Sequence, residues 1–421
     1  MLKVSVVIPV LNESGNIASL IHKIRDVLSS VQAEFEVILV DGGSCDDTVK
    51  IARDMGVQVV MQSKPGFGQA ILDGFTSAKK DFIVAMDADF SHPPEFIPVM
   101  LGYLEEADLI IASRYIKGGG SRAGLARSIV SRSLCFFFRY GLGIPVKDIT
   151  SGFRALNREV ISTINLKGRE FEIQPEIIIN AYAKGWRIKE VPFCYEPRRA
   201  GSSHIGRKVF KLIRGYLKVF WRIYKKRGFI DFADYDERAY YSRNILQRYW
   251  QRRRYKIIMG FLEKNGPIVD LGCGSSKIIQ DIPDAVALDL SIEKLRYIRK
   301  HNKYLVNATV GALPFKSGKI SCVICSELIE HTLEEDIFLE INRILKHEGI
   351  LIVGTPDYSR RRWRMIELIY GLVKPGGYKD KHVRQYSRLL LEKALREQGF
   401  DILGQDYICG SELIIKARKT G

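Results

Sequence analysis

Two carboxylates one residue apart end an apolar run in the first quarter of the sequence. The run Ile83–Met86 has the length of a buried strand, and Asp87 and Asp89 follow it. Prolines at 93 and 94 then interrupt regular structure. Burying two carboxylates is costly unless a group such as Mg²⁺ or Mn²⁺ neutralises them, and these ions also bind substrate phosphates. The pair therefore indicates a metal–diphosphate site, with a capped turn carrying two solvated aspartates as the alternative.

The pair lies within a regular alternation of apolar runs and helical spacing. Runs rich in Val and Ile predict buried strands over 3–10, 35–40, 57–61 and 83–86. Helical spacing between the first two runs predicts a helix over 17–28. This order predicts an open, mostly parallel sheet, whose ligands bind beyond the carboxyl ends of the strands. The residues expected at those ends are Glu13, Asp41, Gly66, Asp87 and Asp89.

The composition limits the kinds of protein that the chain can be. Its 421 residues predict two or three domains, and a net charge of +17 predicts an anionic partner. The seven cysteines show no disulfide framework, and Cys322 and Cys325 lie in an apolar run where we expect core packing. No signal peptide precedes the first predicted strand, and two arginines interrupt the longest apolar region, 129–146. We therefore expect a cytoplasmic protein without a transmembrane segment.

Several short motifs in the first half resemble those of family 2 glycosyltransferases. They are Pro-Val-Leu-Asn-Glu at 9–13, Val-Asp-Gly-Gly-Ser at 40–44, Gly-Phe-Gly-Gln-Ala at 66–70, Asp-Ala-Asp at 87–89 and Ser-Arg-Tyr at 113–115. Asp-Ile-Thr-Ser-Gly-Phe-Arg at 148–154 and Arg-Arg-Ala-Gly-Ser-Ser-His at 198–204 narrow the resemblance to the dolichyl-phosphate mannosyltransferase branch. The resemblance covers roughly residues 1–228 and implies a doubly wound, nucleotide-sugar-binding domain of the glycosyltransferase A type.

The resemblance implies roles for residues on the donor side. Asp87, Asp89 and Ser91 would hold a Mg²⁺ or Mn²⁺ ion, although Ser91 stands where this branch often has Gln. Two other positions depart from the branch, because Gly42 replaces a common second Asp and His204 replaces a Lys. The residues implied to bind the nucleotide sugar are Pro9, Leu11, Glu13, Leu39, Asp41, Asp87, Ala88, Asp89 and His204.

On the acceptor side the resemblance implies a lipid phosphate that meets Arg114, Arg127 and Ser131, with Asp89, Arg114 and Arg198 as catalytic residues. A phosphomonoester is already an anion near neutral pH and needs no strong general base. Arginines would offset the repulsion between the two phosphates, and in-line displacement would invert the anomeric carbon. We expect transfer of a hexose to a polyprenyl or dolichyl phosphate. The expected donor is GDP-mannose, which supplies mannose, and the alternative donor is UDP-glucose.

Residues 205–228 predict a basic, amphipathic helix rich in aromatic side chains. This pattern is typical of a helix that lies in a membrane interface, and packing on the core of the protein is the alternative. The apolar segment 134–138 is a second candidate lipid contact. Relatives in this branch often carry transmembrane helices after this point and none follows here, so we expect peripheral attachment to the cytoplasmic face of an anionic membrane. These features account for the charge, and we expect no nucleic-acid partner.

A glycine-rich turn marks the second half of the chain. An apolar run leads into Asp270, Gly272 and Gly274, and glycines let a backbone approach a ligand closely. The next predicted strand ends at Asp289, 19 residues after Asp270, where a carboxylate suits a ribose diol. A nicotinamide cofactor is the alternative ligand, but the three-glycine spacing typical of its site is absent.

Later motifs make this half resemble class I S-adenosylmethionine-dependent methyltransferases, over roughly residues 235–419. They include Gly-Ala-Leu-Pro-Phe at 311–315, Ser-Glu-Leu-Ile-Glu-His at 326–331 and His-Val-Arg-Gln-Tyr-Ser at 382–387. The resemblance implies a Rossmann-like domain and a set of residues for the methyl donor. These are Asp270, Gly272 and Gly274 for the methionine part, Asp289 for the ribose and Leu313 beside the adenine.

The sequence does not specify the methyl acceptor. Glu327, His331 and His382 are candidates for orienting or deprotonating an acceptor hydroxyl, with structural roles as the alternative. We expect a bifunctional enzyme with domains at 1–228 and 237–421, a linker at 229–236 and a long helical region over 237–262. The alternative is a catalytically silent second half that only binds S-adenosylmethionine or a partner.

Overall fold

The computed structural model describes residues 1–122, 124–196, 209–227, 232–332, 337–373 and 382–420. The chain divides into two compact units, Met1–Gly228 and Phe229–Gly421. Within the described residues each unit is built on a mostly parallel sheet of seven strands, with helices in the connections. This confirms the open, mostly parallel sheet predicted for the first half from the alternation of strands and helices, and the Rossmann-like domain that the resemblance implied for the second half.

The sheet of the first unit has the strand order β3-β2-β1-β4-β7-β5-β8. Strand β7 pairs antiparallel with both β4 and β5, whereas the other pairs in this sheet are parallel. Two short strands, β6 and β9, pair separately. The strand bounds are β1 Lys3–Val10, β2 Glu34–Asp41, β3 Gln58–Met61, β4 Phe82–Ala85, β5 Leu109–Ser113, β6 Gly120–Ser121, β7 Arg154–Asn157, β8 Ile188–Pro192 and β9 Cys194–Tyr195.

Several helices of the first unit pack against this sheet. Helix α1 buries Ile17, Leu20, Ile21, Ile24 and Leu28, which is the spacing that predicted it. A 3₁₀ turn at Pro94–Phe96 precedes α4. The helix bounds are α1 Ser14–Ser30, α2 Thr48–Asp54, α3 Phe67–Ser77, α4 Ile97–Leu101, α5 Leu125–Leu142, α6 Arg158–Thr163, α7 Ile173–Ala183 and α8 Val209–Arg227.

Helix α8 is the basic, aromatic helix predicted over 205–228, and its described part packs against α5. The rings of Phe137 and Phe220 lie 4.1 Å apart. Gly141 permits this approach, because a Cβ there would come within 2.5 Å of the Phe220 ring. One face of α8 is therefore buried, while Trp221 and Tyr224 stay exposed. Among the helices of the described residues, none is long and apolar enough to cross a bilayer.

The sheet of the second unit has the order β12-β11-β10-β13-β14-β16-β15, in which β16 runs antiparallel to β14 and β15. Cys322 and Cys325 are fully buried in β13, as predicted. The elements are α9 Tyr235–Tyr240, α10 Ile245–Phe261, β10 Ile268–Leu271, α11 Lys277–Gln280, β11 Val286–Asp289, α12 Ile292–Ile298, β12 Leu305–Asn307, β13 Ile320–Ser326, α13 Ile337–Ile344, β14 Leu345–Pro356, α14 Arg361–Val373, α15 Arg388–Glu397, β15 Phe400–Ile408 and β16 Glu412–Lys419.

Two expectations for the start of this unit need correction. The predicted linker 229–236 is packed where the structure describes it, since 232–234 are buried and α9 begins at Tyr235. The single helical region predicted over 237–262 is two helices. Asn244 caps α10 by accepting hydrogen bonds from the backbone N–H groups of Leu246, at 3.0 Å, and Gln247, at 3.3 Å, and such a capping residue favours a new helix start.

Candidate active sites

The loops that follow β1 and β2 form one hydrogen-bonded cluster at the edge of the first sheet. The buried carboxylate of Asp41 accepts hydrogen bonds from the backbone N–H of Ser44 at 3.0 Å and from its hydroxyl at 2.5 Å. The Ser44 hydroxyl in turn accepts one from the backbone N–H of Asn12 at 2.9 Å. The backbone N–H of Glu13 donates to the Thr48 hydroxyl at 2.8 Å. The structure therefore brings the loops of Glu13 and Asp41 together, as expected for a donor site.

The four apolar residues implied for the donor differ in their accessibility. Leu11 is exposed beyond the end of β1, and Pro9 is half-buried within that strand. Leu39 and Ala88 are buried and belong to the core of the unit. Leu11 thus offers an apolar surface to a base, whereas Leu39 has no accessible side-chain surface and could reach a nucleoside only through its backbone.

The two carboxylates of the Asp-x-Asp motif have contrasting surroundings. Asp89 is 1% exposed, and its Oδ1 accepts hydrogen bonds from the backbone N–H of Ser91 at 3.0 Å and the Ser91 hydroxyl at 2.5 Å. The side chain of Asp87 is 35% exposed. Its backbone N–H donates to Nδ1 of His92 at 2.9 Å, so this nitrogen is an acceptor, and its 3.9 Å separation from the Asp87 carboxylate is not an ion pair. Ring stacking on Phe153 at 4.8 Å fixes the imidazole.

Arg114 is held by residues of the motif at 148–154. Its Nε and Nη2 donate to the two oxygens of the buried Asp148 carboxylate, each at 2.8 Å. Nη2 also donates to the Thr150 hydroxyl at 2.7 Å and lies 3.4 Å from the Ser131 hydroxyl. Burial would lower the pKa of Arg114, but the hydrogen bonds and charge of Asp148 raise it overall, so the guanidinium stays charged.

The remaining nitrogen of this guanidinium, Nη1, donates to no residue in the part of the chain that the structure describes. Arg114 and Ser131, both predicted to meet the acceptor phosphate, are thus adjacent, and the Arg114 side chain is 13% exposed. The third member, Arg127, lies in α5, but its side chain is outside the described residues. Arg198 and His204 also lie outside them.

The glycine motif at 66–70 has a packing explanation. Gly66 has a φ of +125°, and a Cβ there would overlap the carbonyl oxygen of Arg169. The backbone N–H of Gly68 donates to that same oxygen at 2.8 Å. Phe67 stacks on Phe171 at 4.4 Å. The motif therefore fixes the start of α3 against the segment 168–171.

In the second unit the glycine-rich turn lies beside the end of β11. Gly272 and Gly274 have φ values of +64° and +56°, a backbone region in which glycine carries no steric penalty. The Asp289 carboxylate accepts hydrogen bonds from the backbone N–H of Gly274 and of Ser291, both at 2.8 Å. Asp270 is buried, and burial raises its pKa well above the usual range, with the charges of Asp289 and Asp236 adding to the effect. The turn and the acid that suits a ribose are therefore in contact.

Leu313 and the three candidates for the methyl-acceptor site each have defined contacts within the second unit. Leu313 is buried, and its backbone N–H donates to the Glu340 carboxylate at 2.9 Å. Glu327 has a φ of +54°, unusual for a residue with a side chain, and its carboxylate pairs with Arg254. His331 and His382 lie together, with ring centroids 4.8 Å apart. Burial and the charge of His331 lower the pKa of His382 to about 4, so its ring is neutral at physiological pH.

The two halves match different family models. Residues 5–164 match glycosyl transferase family 2, and residues 269–353 match a methyltransferase domain. The chain combines a family 2 glycosyltransferase domain with a methyltransferase domain. Both resemblances inferred from the motifs are confirmed at this level.

Relatives narrow the first of these assignments. The chain is 35% identical over 240 residues to the dolichol-phosphate mannosyltransferase of Pyrococcus furiosus. The matched region covers 55% of this chain and 66% of that protein. It is 34% identical over 204 residues to the low-salt glycan biosynthesis hexosyltransferase Agl6 of Haloferax volcanii, covering 47% of this chain and 49% of that protein. The chain thus spans about two thirds of the length of the first curated relative and about half of the length of the second.

The fold also resembles solved glycosyltransferases. The glucosyl-3-phosphoglycerate synthase of Mycobacterium tuberculosis, in complex with Mn²⁺, UDP-glucose and phosphoglyceric acid, is 25% identical with a TM-score of 0.43. The match covers 52% of this chain and 80% of that one.

Two residues of the methyltransferase domain were missed by the sequence reasoning. Asp236, expected in the linker, accepts a hydrogen bond from the backbone N–H of Ser275 at 2.9 Å and lies 3.4 Å from Lys294, so it covers the glycine-rich turn. Arg254 is buried and makes a two-point contact with the buried Glu412, at 2.7 Å for each hydrogen bond. The Asn cap at 244 was a local signal for α10, but no local pattern marks either of these distant contacts.

Proposed function

We propose that the glycosyltransferase domain transfers a hexose to a polyprenyl or dolichyl phosphate at a membrane surface, with inversion at the anomeric carbon. The donor that we propose is GDP-mannose. Similarity to a dolichol-phosphate mannosyltransferase supports the reaction class, and the arrangement around Arg114 supports the acceptor. The alternative donor, UDP-glucose, is separated from it by the experiment below.

The observation that carries this proposal is the position of α5. Its residue Ser131 lies beside the Arg114 guanidinium, at 3.4 Å, and its following turns expose Phe136, Phe137 and Tyr140. A lipid phosphate has a charged head and an apolar tail, and α5 presents partners for both along one helix. The neighbouring α8 continues the apolar side. We call this area the aromatic surface, made up of Phe136, Phe137, Tyr140, Leu217, Trp221 and Tyr224.

Basic side chains accompany the aromatic surface. Arg132, Arg214, Lys218 and Lys225 are exposed on the same two helices. Each basic residue near an anionic leaflet adds about 1 kcal/mol of attraction. Exposed aromatics flanked by basic groups suit a peripheral protein at an interface. We therefore propose that the protein attaches to the cytoplasmic face of a membrane through these helices.

The residues at the Asp-x-Asp motif fit a Mg²⁺ or Mn²⁺ ion in part. Asp87 is accessible and has no hydrogen bond to its carboxylate among the described residues, and Asp89 stands one residue on, so these two would hold the ion. Ser91 fits less well, because its hydroxyl and its backbone N–H both donate to Asp89. A metal there would neutralise the departing diphosphate.

On the acceptor side the chain has to bind and orient an anion that is already nucleophilic. Arg114, kept charged and rigid by Asp148 and Thr150, has its Nη1 edge for a phosphate oxygen. A planar guanidinium binds phosphate in a fixed orientation, which helps to align the attacking oxygen. The described part of the site offers charge and orientation, which is what this reaction requires.

We further propose that the methyltransferase domain binds S-adenosylmethionine and methylates an oxygen of a glycan or lipid-linked acceptor. Gly272 and Gly274 give the turn a backbone conformation that glycine adopts without strain, and the Asp289 carboxylate beside it could accept hydrogen bonds from a ribose diol. Bound S-adenosylmethionine supplies an electrophilic methyl group. The residues of this chain would bind it and orient the acceptor, with Glu327, held by Arg254, directly after the neighbouring parallel strand β13.

The deciding experiment is transfer of radiolabelled sugar to an extractable polyprenyl phosphate. GDP-mannose and UDP-glucose are compared with Mn²⁺ present, for the wild type, Asp89→Ala and the control Asp54→Ala, an exposed carboxylate at the end of α2. We expect lipid label from GDP-mannose, lost in Asp89→Ala and retained in the control. Label from UDP-glucose alone would replace the donor, and no label from either donor would refute the lipid-phosphate acceptor.

The methyltransferase proposal has its own test. Calorimetry measures whether the chain binds S-adenosylmethionine, and labelled methyl groups are then followed into the extracted glycolipid product of the first reaction. We expect both binding and transfer. Binding without transfer to any glycolipid would support a silent module instead.

A further inference from the structure

We propose that Glu330, His331 and His382 form a binding site for a divalent transition-metal ion in the methyltransferase domain. One ligand atom from each of the three residues lies within 4.8 Å of the other two. Two imidazoles and one carboxylate suit Zn²⁺, Co²⁺ or Fe²⁺ better than Mg²⁺, which prefers an all-oxygen shell. This ion is separate from the one proposed at the Asp-x-Asp motif, which lies in the other unit.

Backbone hydrogen bonds bring the three residues together from distant parts of the sequence. Glu330 and His331 lie in the turn beyond β13, and His382 precedes α15. The carbonyl oxygen of Glu330 accepts hydrogen bonds from the backbone N–H groups of Val383, at 2.7 Å, and Arg384, at 3.2 Å. This pairing places the His382 ring beside that of His331. The cluster is thus a product of the fold and is anchored by the main chain.

The Glu330 carboxylate supplies an independent reason to expect a ligand. Its residue is 1% exposed, and its Oε2 accepts a hydrogen bond from the Thr355 hydroxyl at 3.1 Å. Its Oε1 is buried and has no hydrogen-bond partner within the described ranges. Leaving a buried polar atom unpaired costs about 1–3 kcal/mol. A metal ion between this oxygen and the two imidazoles would remove that cost.

The surroundings of His382 resemble those of a metal-binding histidine. Its Nδ1 is in hydrogen-bond contact with the Tyr358 hydroxyl. The ring of Trp363 lies parallel to it, with an angle of 10° and centroids 6.2 Å apart. When Nδ1–H donates to Tyr358, the ring's lone pair is on Nε2. Histidine ligands commonly donate their second nitrogen in this way, which fixes the ring for the metal.

The three ligand atoms are spread somewhat more widely than in a metal-bound site, so the side chains would have to move closer together to bind the ion. Ligand atoms around a tetrahedral ion with bonds of about 2.1 Å lie about 3.4 Å apart. The observed limit of 4.8 Å is therefore within reach of small side-chain rotations. Three protein ligands also leave at least one position open. If the proposed methyl transfer is correct, the ion would acidify the hydroxyl proton of an acceptor whose oxygen takes that position.

The test is cobalt binding to the full chain after removal of metals with a chelator. Visible absorption of Co²⁺ reports coordination by nitrogen and oxygen, and no methyl donor or nucleotide is added. We compare the wild type with His331→Ala, His382→Ala, Glu330→Gln and Tyr358→Phe. The control is His301→Ala, an exposed histidine of the same unit, and excess Mg²⁺ is present throughout to occupy the oxygen ligands of the Asp-x-Asp motif. Tyr358→Phe changes a residue beyond the ligands and serves where a ligand variant does not fold, as judged by circular dichroism.

We expect one Co²⁺ per wild-type chain, displaced by Zn²⁺, with affinity at least about tenfold lower in all four cluster variants. His301→Ala should bind as the wild type does. No Co²⁺ signal in the wild type, or equal binding in the cluster variants, would overturn the proposal. Because no methyl transfer is measured, failure of this site and failure of the proposed methyltransferase activity are separate outcomes.

Discussion

Arg114, which we propose binds the acceptor phosphate, is held in one orientation by its neighbours. Asp148 and Thr150 take its Nε and Nη2 donors, which fixes the plane of the guanidinium and leaves Nη1 as the edge for an incoming anion. A lysine at this position would keep the charge but could not make both contacts at once. Orientation, more than charge, is therefore what this residue contributes.

Arg114→Lys is expected to lower kcat/KM for the lipid phosphate roughly 100-fold, the equivalent of two charge-assisted hydrogen bonds at about 1.5 kcal/mol each. Steady-state transfer of labelled sugar at varied polyprenyl phosphate measures the effect. Arg158→Lys, an exposed arginine at the start of α6, is the matched control and should behave as the wild type. Wild-type kinetics in Arg114→Lys would contradict the assignment.

Gly274 and Gly318 make a second comparison at the residue scale. Both need a positive φ, +56° and +68°, but only Gly274 is crowded, since a Cβ there would overlap the Asp236 carboxylate. Gly274→Ala should therefore weaken S-adenosylmethionine binding by at least about tenfold, because Asp236 or the turn must move. Gly318→Ala has open space around its Cβ and should lose about 1 kcal/mol of stability with unchanged binding. Calorimetry with the methyl donor distinguishes the two outcomes, and equal affinities would refute the role of the turn.

At the scale of elements, the contact between α5 and α8 determines how the aromatic surface is assembled. Helix α8 is also tied to α7, because Arg222 pairs with the buried Glu176. Gly141 is the point of closest approach on α5. These contacts make the two helices one layer, so changes to their packing should alter lipid binding and transfer together.

Gly141→Ala is expected to destabilise the fold by about 1–3 kcal/mol, because the added methyl group would lie 2.5–2.6 Å from the Phe220 ring. Gly260→Ala in α10 is the control, since it has open space and should gain about 0.5–1 kcal/mol from helix propensity. Chemical denaturation measures both. A stabilised Gly141→Ala would show that α5 and α8 are not in close contact in solution.

Glu176 gives the helix pair a pH dependence. Burial raises its pKa above the usual 4.5, and Arg222 opposes this only in part. The folded state therefore keeps a proton that the unfolded chain releases, so this group's contribution is complete below pH 4.5 and declines as pH rises through the folded pKa. The stability advantage of the wild type over Glu176→Gln should shrink from pH 4.5 towards neutrality, as thermal unfolding at several pH values would show. A growing advantage would mean that the ion pair with Arg222 dominates.

The sequence predicted elements well where the signal is local and failed where it is distant. Strands β1, β2 and β4 are rich in Val and Ile, which suits parallel strands buried on two faces. The antiparallel insertion of β7 between β4 and β5 depends on pairing that no run of residues specifies. Arg254 reads as one more basic residue until its partner Glu412, more than 150 positions away, is known. The cluster of His331 and His382 depends in the same way on the main-chain bonds of Glu330.

For the whole molecule, a net charge of +17 and the aromatic surface act on membrane binding in different ways. Attraction to anionic vesicles should weaken as salt rises from about 0.05 to about 0.5 M, because surface charges are screened. Trp221→Ser and Phe136→Ser should weaken binding at least about tenfold at every salt concentration, since each removes apolar area. Tyr304→Ser, an exposed aromatic of the other unit, should have no effect. Vesicle sedimentation measures the binding of the wild type and the three variants. Unchanged binding of Trp221→Ser and Phe136→Ser would exclude α5 and α8 as the membrane contact.

The packed segment that begins at Phe232 has a consequence for how the gene can be divided. Similarity to methyltransferases is detected only from residue 269, yet Asp236 covers the glycine-rich turn and Arg254 neutralises Glu412 inside the sheet. A fragment expressed from residue 265 would leave Glu412 buried without its counter-ion, a loss of about 3–5 kcal/mol, comparable with the total stability of a small domain. A recombination event that joined or separated the two domains and kept the methyltransferase domain intact would need its breakpoint upstream of the codon for residue 232.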